Sequence, residues 1–125
     1  MEILEIKANE RVIEIMHPKT DEPIGLKVYL VSFDDEKVKK VRRKFLDEKL
    51  RLEARNKHFN AEEIEENNLA MMFAAMTGWE WSNDLTLDGD KQPAFNQKNV
   101  YTVLKKIPFV ASQIEKEVVD EKAFF

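Results

Sequence analysis

The stretch Leu26-Lys27-Val28-Tyr29-Leu30-Val31-Ser32-Phe33-Asp34-Asp35-Glu36-Lys37-Val38-Lys39-Lys40-Val41-Arg42-Arg43-Lys44-Phe45-Leu46 holds a change of period. Leu26, Val28 and Leu30 fall on alternate positions, the repeat of a strand with one apolar face. After Phe33 the apolar residues are Val38, Val41, Phe45 and Leu52, with Leu46 and Leu50 beside them, which is helical spacing. One chain therefore carries a strand pattern and then a helix pattern, and the fold class to expect is α+β.

Upstream of this point, Ile13 and Ile15 give a second partial alternation. Between the two lies His17-Pro18-Lys19-Thr20-Asp21-Glu22-Pro23, two prolines among short polar residues. That is a loop, so residues 1–33 read as a β-hairpin region. Ile3, Leu4 and Ile6 suit a short leading strand. A lone hairpin is marginal in water and needs helices over its apolar face.

Downstream, the first helix is expected from an Asp34 cap to about Asn56. The pairs Asp35–Lys39, Glu36–Lys40, Asp47–Arg51 and Glu53–Lys57 are spaced to support it. A second helix is expected from Ala61 to about Met76, with Leu69, Met72, Phe73 and Met76 inward and Gly78 as its stop. Asn60 and Glu63 form a capping-box pattern. Phe33, Phe59 and Phe95 each precede an Asp or Asn, with Val38, Ile64 and Val100 following, the spacing of a hydrophobic staple. Residues 79–95 read as an extended ribbon: Trp79, Trp81, Leu85 and Leu87 alternate with polar residues, and Asp88-Gly89 suits a turn. A third helix is expected over Gln97–Lys106. Pro108 opens a fourth, where its missing N–H costs nothing. The expectation is one domain over 1–125, an N-terminal hairpin packed against about four helices.

Composition narrows the chemistry. The chain has 125 residues, no Cys, two His and three isolated Gly. That leaves no thiolate metal site, no cysteine nucleophile and no phosphate-binding glycine loop. The serines at 32, 82 and 112 lack a nucleophile-elbow context. Asp84, Asp88 and Asp90 have the wrong spacing for an EF-hand. Glu62, Glu63, Glu65 and Glu66 suit the solvated first turn of a helix, where the dipole favours acids. No catalytic residue, cofactor or metal ligand is expected, and the chain reads as a non-enzyme. No run approaches the ~18 apolar residues of a membrane span, and the start is unlike a signal peptide. A net charge of −4 argues against general nucleic-acid binding.

Charge is unevenly spread. Residues 34–57 hold ten basic and six acidic residues, and the rest of the chain ten basic and eighteen acidic. The first helix is thus a positive element on an acidic body. Lys40, Arg42 and Arg43 are its self-association candidates, against the plainer reading of a solvated helix face. Trp79 and Trp81 are candidate partner anchors, or core; Phe124 and Phe125 are candidates with them. Met71, Met72 and Met76 read as core first and as adaptable binding surface second.

The order of segments resembles a known group. HPKTDEPIGLKVYL (17–30), a charged helix, LAMMFAAMTGWEW (69–81), DGDKQPAF (88–95), Asn99-Val100 and IPFVASQI (107–114) follow one another, with an acidic tail ending in Phe. This is similar to the tail assembly chaperones of tailed bacteriophages and prophages, over roughly residues 12–125. Order and spacing carry the likeness, since each piece is degenerate. The chain departs from the pattern at Asp21-Glu22-Pro23, where Gly is usual, and at Phe109, where Trp is usual. The resemblance implies a non-enzymatic chaperone that binds the helical tape-measure protein, with the tail-tube protein as a further partner. It implies a protein of the host cytoplasm that is absent from the mature virion; a homo-oligomer is expected from the basic first helix on an acidic body. The alternative is a structural protein of the tail or head–tail joint that stays in the particle.

Overall fold

The computed structural model describes residues 2–3 and 10–119. The expected leading strand at Ile3, Leu4 and Ile6 falls largely outside them, and Phe124 and Phe125 lie outside them altogether. The hairpin forms as expected: β1 (Arg11–Met16) pairs antiparallel with β2 (Pro23–Leu30), with Ile13 opposite Val28 and Glu14 opposite Lys27. Its loop closes through hydrogen bonds from His17 N to Glu22 O (2.9 Å) and from Asp21 N to His17 O (2.9 Å). Four helices follow: α1 (Glu36–Glu53), α2 (Ala61–Ala75), α3 (Gln97–Lys106) and α4 (Pro108–Val118).

The sheet has a third strand. β3 (Met76–Trp81) runs antiparallel to β2, with Leu26 opposite Trp81 and Val28 opposite Trp79. Gly78 sits inside this strand opposite Tyr29 and does not stop α2. The helix ends at Ala75, and Met76 is already extended (φ −91, ψ 132). Thr77-Gly78 are poor helix formers, and the open edge of β2 offers the chain a better set of hydrogen bonds. Val31 N–H donates to Ala75 O at 2.7 Å and locks the junction.

α1 is shorter than the expected 34–56 at both ends. Ser32 is buried, its hydroxyl accepts from Asp34 N (3.1 Å) and its carbonyl from Asp35 N (2.9 Å). That turn consumes Asp34, and Asp35 is the N-cap, accepting from Lys37 N. At the other end Asn56 adopts φ 55, and Lys57 N reaches back to Leu52 O (2.8 Å). A left-handed Asn after a helix is a standard way to satisfy the last carbonyls. The ion pairs differ too: Glu36 pairs with Arg43 and Glu48 with Arg51, in place of the i, i+4 pairs read from spacing.

One face of the sheet carries Ile13, Ile15, Leu26, Val28, Leu30 and Trp81 into a core shared with the helices. Leu69, Met72, Val100, Val103, Leu104, Val110, Ile114 and Val118 complete it. The opposite face is solvent-exposed and mixed: Val12 and Met16 stand on it, Lys27 faces Glu14 (3.7 Å), and the Tyr29 hydroxyl donates to Glu80 Oε1 (2.6 Å). Among the described residues, no helix is long and apolar enough to cross a membrane.

Candidate functional site: an apolar cleft beside Trp81

Past Trp81 the chain leaves the sheet. Asn83 and Asp84 take positive φ (56 and 61), and Leu85 N–H closes a turn onto Ser82 O (3.1 Å). Asp88 (φ 50) and Gly89 (φ 84) make the expected tight turn, with Leu87 and Asp90 exchanging both backbone bonds (2.9 and 3.0 Å). Positive φ at both central residues is what a type I′ turn requires. The returning chain covers the edge of β3: the Gln92 side-chain amide donates to Trp81 O (3.0 Å), and Trp79 Nε1 donates to Pro93 O (2.9 Å).

The ribbon packs Leu85 and Leu87 against the edge of the core and forms a wall there. Between it, the end of β2 and the α3–α4 junction lies a cleft of about 340 Å³. Leu26 and Trp81 form its floor side, Leu85 and Leu87 the ribbon side, and Val103, Ile107, Phe109 and Val110 the helix side. Lys106 is the one charged residue that lines it. The walls are almost wholly apolar, so water held there is poorly bound, and covering them with another apolar group is favourable. Ile107 at the junction is 40% exposed.

The two tryptophans differ in situation. Trp79 is half-buried, stands edge-on to Trp81 (5.2 Å) and to Phe95 (5.7 Å), and has a satisfied N–H. Phe95 in turn packs on Phe73 (5.5 Å), which meets Tyr101 (6.0 Å), so this aromatic group ties the ribbon to α2 and α3. Trp81 is 7% exposed, lines the cleft, and its Nε1 is buried without a hydrogen-bond acceptor. Lys40, Arg42 and Arg43 lie on α1 and share no wall with the cleft. A larger space of about 470 Å³ runs beside Lys40, Arg43, Lys44, Asp47, Glu48 and Arg51. All six belong to one helix with no facing wall, so it is an open groove between charged side chains.

Of the cleft's residues, Leu85 and Leu87 share the parity of Trp79 and Trp81 and were legible in the sequence. Trp81 alone among the lining residues was a site candidate; Leu85, Leu87, Lys106 and Ile107 were not singled out as site residues. The usable signal was that the ribbon's apolar face continues past Trp81, where the three-stranded sheet has ended. Among the described residues, no group of three or more His, Asp or Glu is placed to hold a metal ion. Lys105 is held above its ordinary value, chiefly by its hydrogen bond to Glu66 (2.6 Å), which clips α3 to α2. Compared with protein-family models, with curated proteins and with solved structures, the chain matches none of them.

Proposed function

We propose that this chain is a non-enzymatic binding protein that holds an apolar segment of a partner in solution. The observation that carries the reading is the cleft beside Trp81: a solvent-open space of about 340 Å³ whose lining is apolar apart from Thr86, Thr102 and Lys106. Pockets of this size and lining serve recognition. Together with the resemblance noted above, this supports a tail assembly chaperone that keeps the tape-measure protein soluble in the host cytoplasm and leaves before the virion matures. The tail-tube protein is a further partner under this reading.

The test is co-expression with the tape-measure protein. Trp81 is unsuited to truncation, because Trp→Ala in a core costs about 3–5 kcal/mol and confounds folding with binding. Ile107→Glu places a charge at the partly exposed lip of the cleft instead. The expected outcome is that this variant folds and fails to keep the tape measure soluble, while Arg42→Glu/Arg43→Glu still does. The reverse pattern moves the site to α1 and overturns the proposal. Finding the protein in purified virions would favour the structural tail role.

A further inference from the structure

α1 has two apolar stripes, and one of them lacks a partner. Val41 and Phe45 turn to the α2 side, where they share a space with Phe59, Asn67 and Ala70. Leu46 and Leu50 lie roughly 100–180° round the helix from those two. They are exposed, and α2 is the described element that packs along α1. Their stripe continues through Arg43 and Glu53, and the positions 43, 46, 50 and 53 have the alternating spacing of three and four that makes a coiled-coil seam. Arg43 pairs with Glu36, two turns back on the same face, and a guanidinium has donors to spare for a second carboxylate. Among the described residues Glu53 has no ion-pair partner.

We infer that this seam joins two copies of the chain, α1 against α1, antiparallel about a two-fold axis. The seam is complementary to itself when turned end for end. Arg43 stands three residues before Leu46 and Glu53 three after Leu50, so Leu46 meets Leu50 of the second copy and Arg43 meets its Glu53, each contact occurring twice. A parallel pair would set Arg43 on Arg43 and Glu53 on Glu53. The wider charge agrees. Residues 36–44 carry six basic side chains and one acidic, whereas residues 47–66, the end of α1 and the start of α2, carry seven acidic and four basic. Antiparallel pairing brings the basic half of each copy to the acidic end of the other. Two leucines and one ion pair a side fall short of the ~1,200 Å² at which stable interfaces begin. Asp47 and Lys49 flank the axis and each faces its own counterpart, which opposes pairing. The dimer is therefore weak and depends on concentration. The inference stands on α1 and is independent of the cleft.

Sedimentation equilibrium of the full chain at low salt tests this, and a dimer that grows with concentration is expected. Arg43→Glu and Glu53→Arg, both at exposed positions, are each expected to weaken it about 2- to 30-fold, the range of two exposed ion pairs, with an unchanged circular dichroism spectrum. The double variant Arg43→Glu/Glu53→Arg exchanges the two charges and is expected to restore the dimer. Orientation is read separately. The chain has no Cys, so introduced thiols report geometry without background. A mixture of Leu46→Cys and Leu50→Cys is expected to oxidise faster to the 46–50 cross-link than either variant does with itself. A strict monomer, a double variant no better paired than the single ones, or a predominance of 46–46 cross-links overturns the inference. So does a monomeric chain whose Leu46→Gln/Leu50→Gln variant fails to keep the tape measure soluble, which would give the seam to a helix of another protein.

Discussion

Gly25 has φ +100, and a methyl group there would stand 2.3 Å from the carbonyl oxygen of Ser82. The contact is backbone against backbone, so no side-chain rotation relieves it. Gly25 O also accepts from Ser82 N–H (2.7 Å), which pins the exit of β3 where the cleft begins. Gly25→Ala is expected to lose about 1–3 kcal/mol from backbone strain alone. Gly78, whose nearest contact is Tyr29 Cδ2 at 3.9 Å, is expected to tolerate Ala within about 0.5 kcal/mol. Urea melts of the two variants check the pair. The two tyrosines offer a second test at this scale. Tyr29 is raised above 10.0, chiefly by donating its hydroxyl to Glu80; Tyr101 is raised chiefly by burial. A raised folded-state value means the fold favours the neutral phenol. That contribution is complete below the unfolded value of about 10 and is lost as pH climbs through the folded value. Ultraviolet titration should show both phenols ionising above the ordinary range in the native protein and at it in urea. Ordinary values in the native protein would contradict the Glu80 bond and the burial of Tyr101.

At the scale of elements, the helix starts carry the most local information. Asn60 accepts from Glu63 N (2.8 Å) while the Glu63 carboxylate accepts from Asn60 N (3.2 Å), a complete capping box. Asn96 accepts from Asn99 N (2.9 Å) and begins the helix whose far end lines the cleft. Asn96→Ala is expected to cost about 1 kcal/mol, within the ~0.5–2 kcal/mol range of cap losses, as measured by the urea midpoint. α1 and α4 contrast in how they are held. α4 buries Val110, Ile114 and Val118, and Gln113 bonds to Met16 through both its amide oxygen and nitrogen (2.8 and 2.7 Å). α1 buries only Val38; it rests on α2, and its Phe45 stacks on Phe59 (5.0 Å) in the segment that leads into α2. Leu46 and Leu50, one turn apart, stay 45% and 65% exposed. Apolar stripes of that kind on a helix usually meet another surface.

At the scale of the whole molecule the charge is unevenly spread. α1 has 18 residues, which is about 27 Å at ~1.5 Å per residue, and it carries Lys40, Arg42 and Arg43 on a chain whose net charge is −4. The exposed Leu46 and Leu50 lie beside this basic surface. Self-association through α1 onto an acidic surface of a second copy is the expected behaviour, and it should weaken with salt, because exposed charges are screened beyond ~8–10 Å. Sedimentation at high concentration in low and high salt measures it. A strict monomer at low salt would exclude it, and Arg42→Glu/Arg43→Glu should abolish it.

Local chemistry alone determined much of this protein. The change of period at Phe33, the Asn caps at 60 and 96, Pro108 at a helix start and the Asp88-Gly89 turn all act within a few residues. Their effects were therefore readable in order along the chain, and with them the α+β class and the hairpin under four helices. The end of α1 was local too: Asn56, where the helix was expected to stop, takes the left-handed conformation that closes a helix ending at Glu53. The alternation at Trp79 and Trp81 was readable as extended chain, but only the tertiary structure decided that Met76–Trp81 is a third strand of the sheet, since its partners in β2 lie some fifty positions earlier. The cleft was decided at the same level. Leu26, Leu87 and Phe109 come from three separate segments, and each alone reads as an ordinary core residue. What distinguishes them is that β2, the segment after Trp81 and the α3–α4 junction meet around a space that no part of the described chain fills.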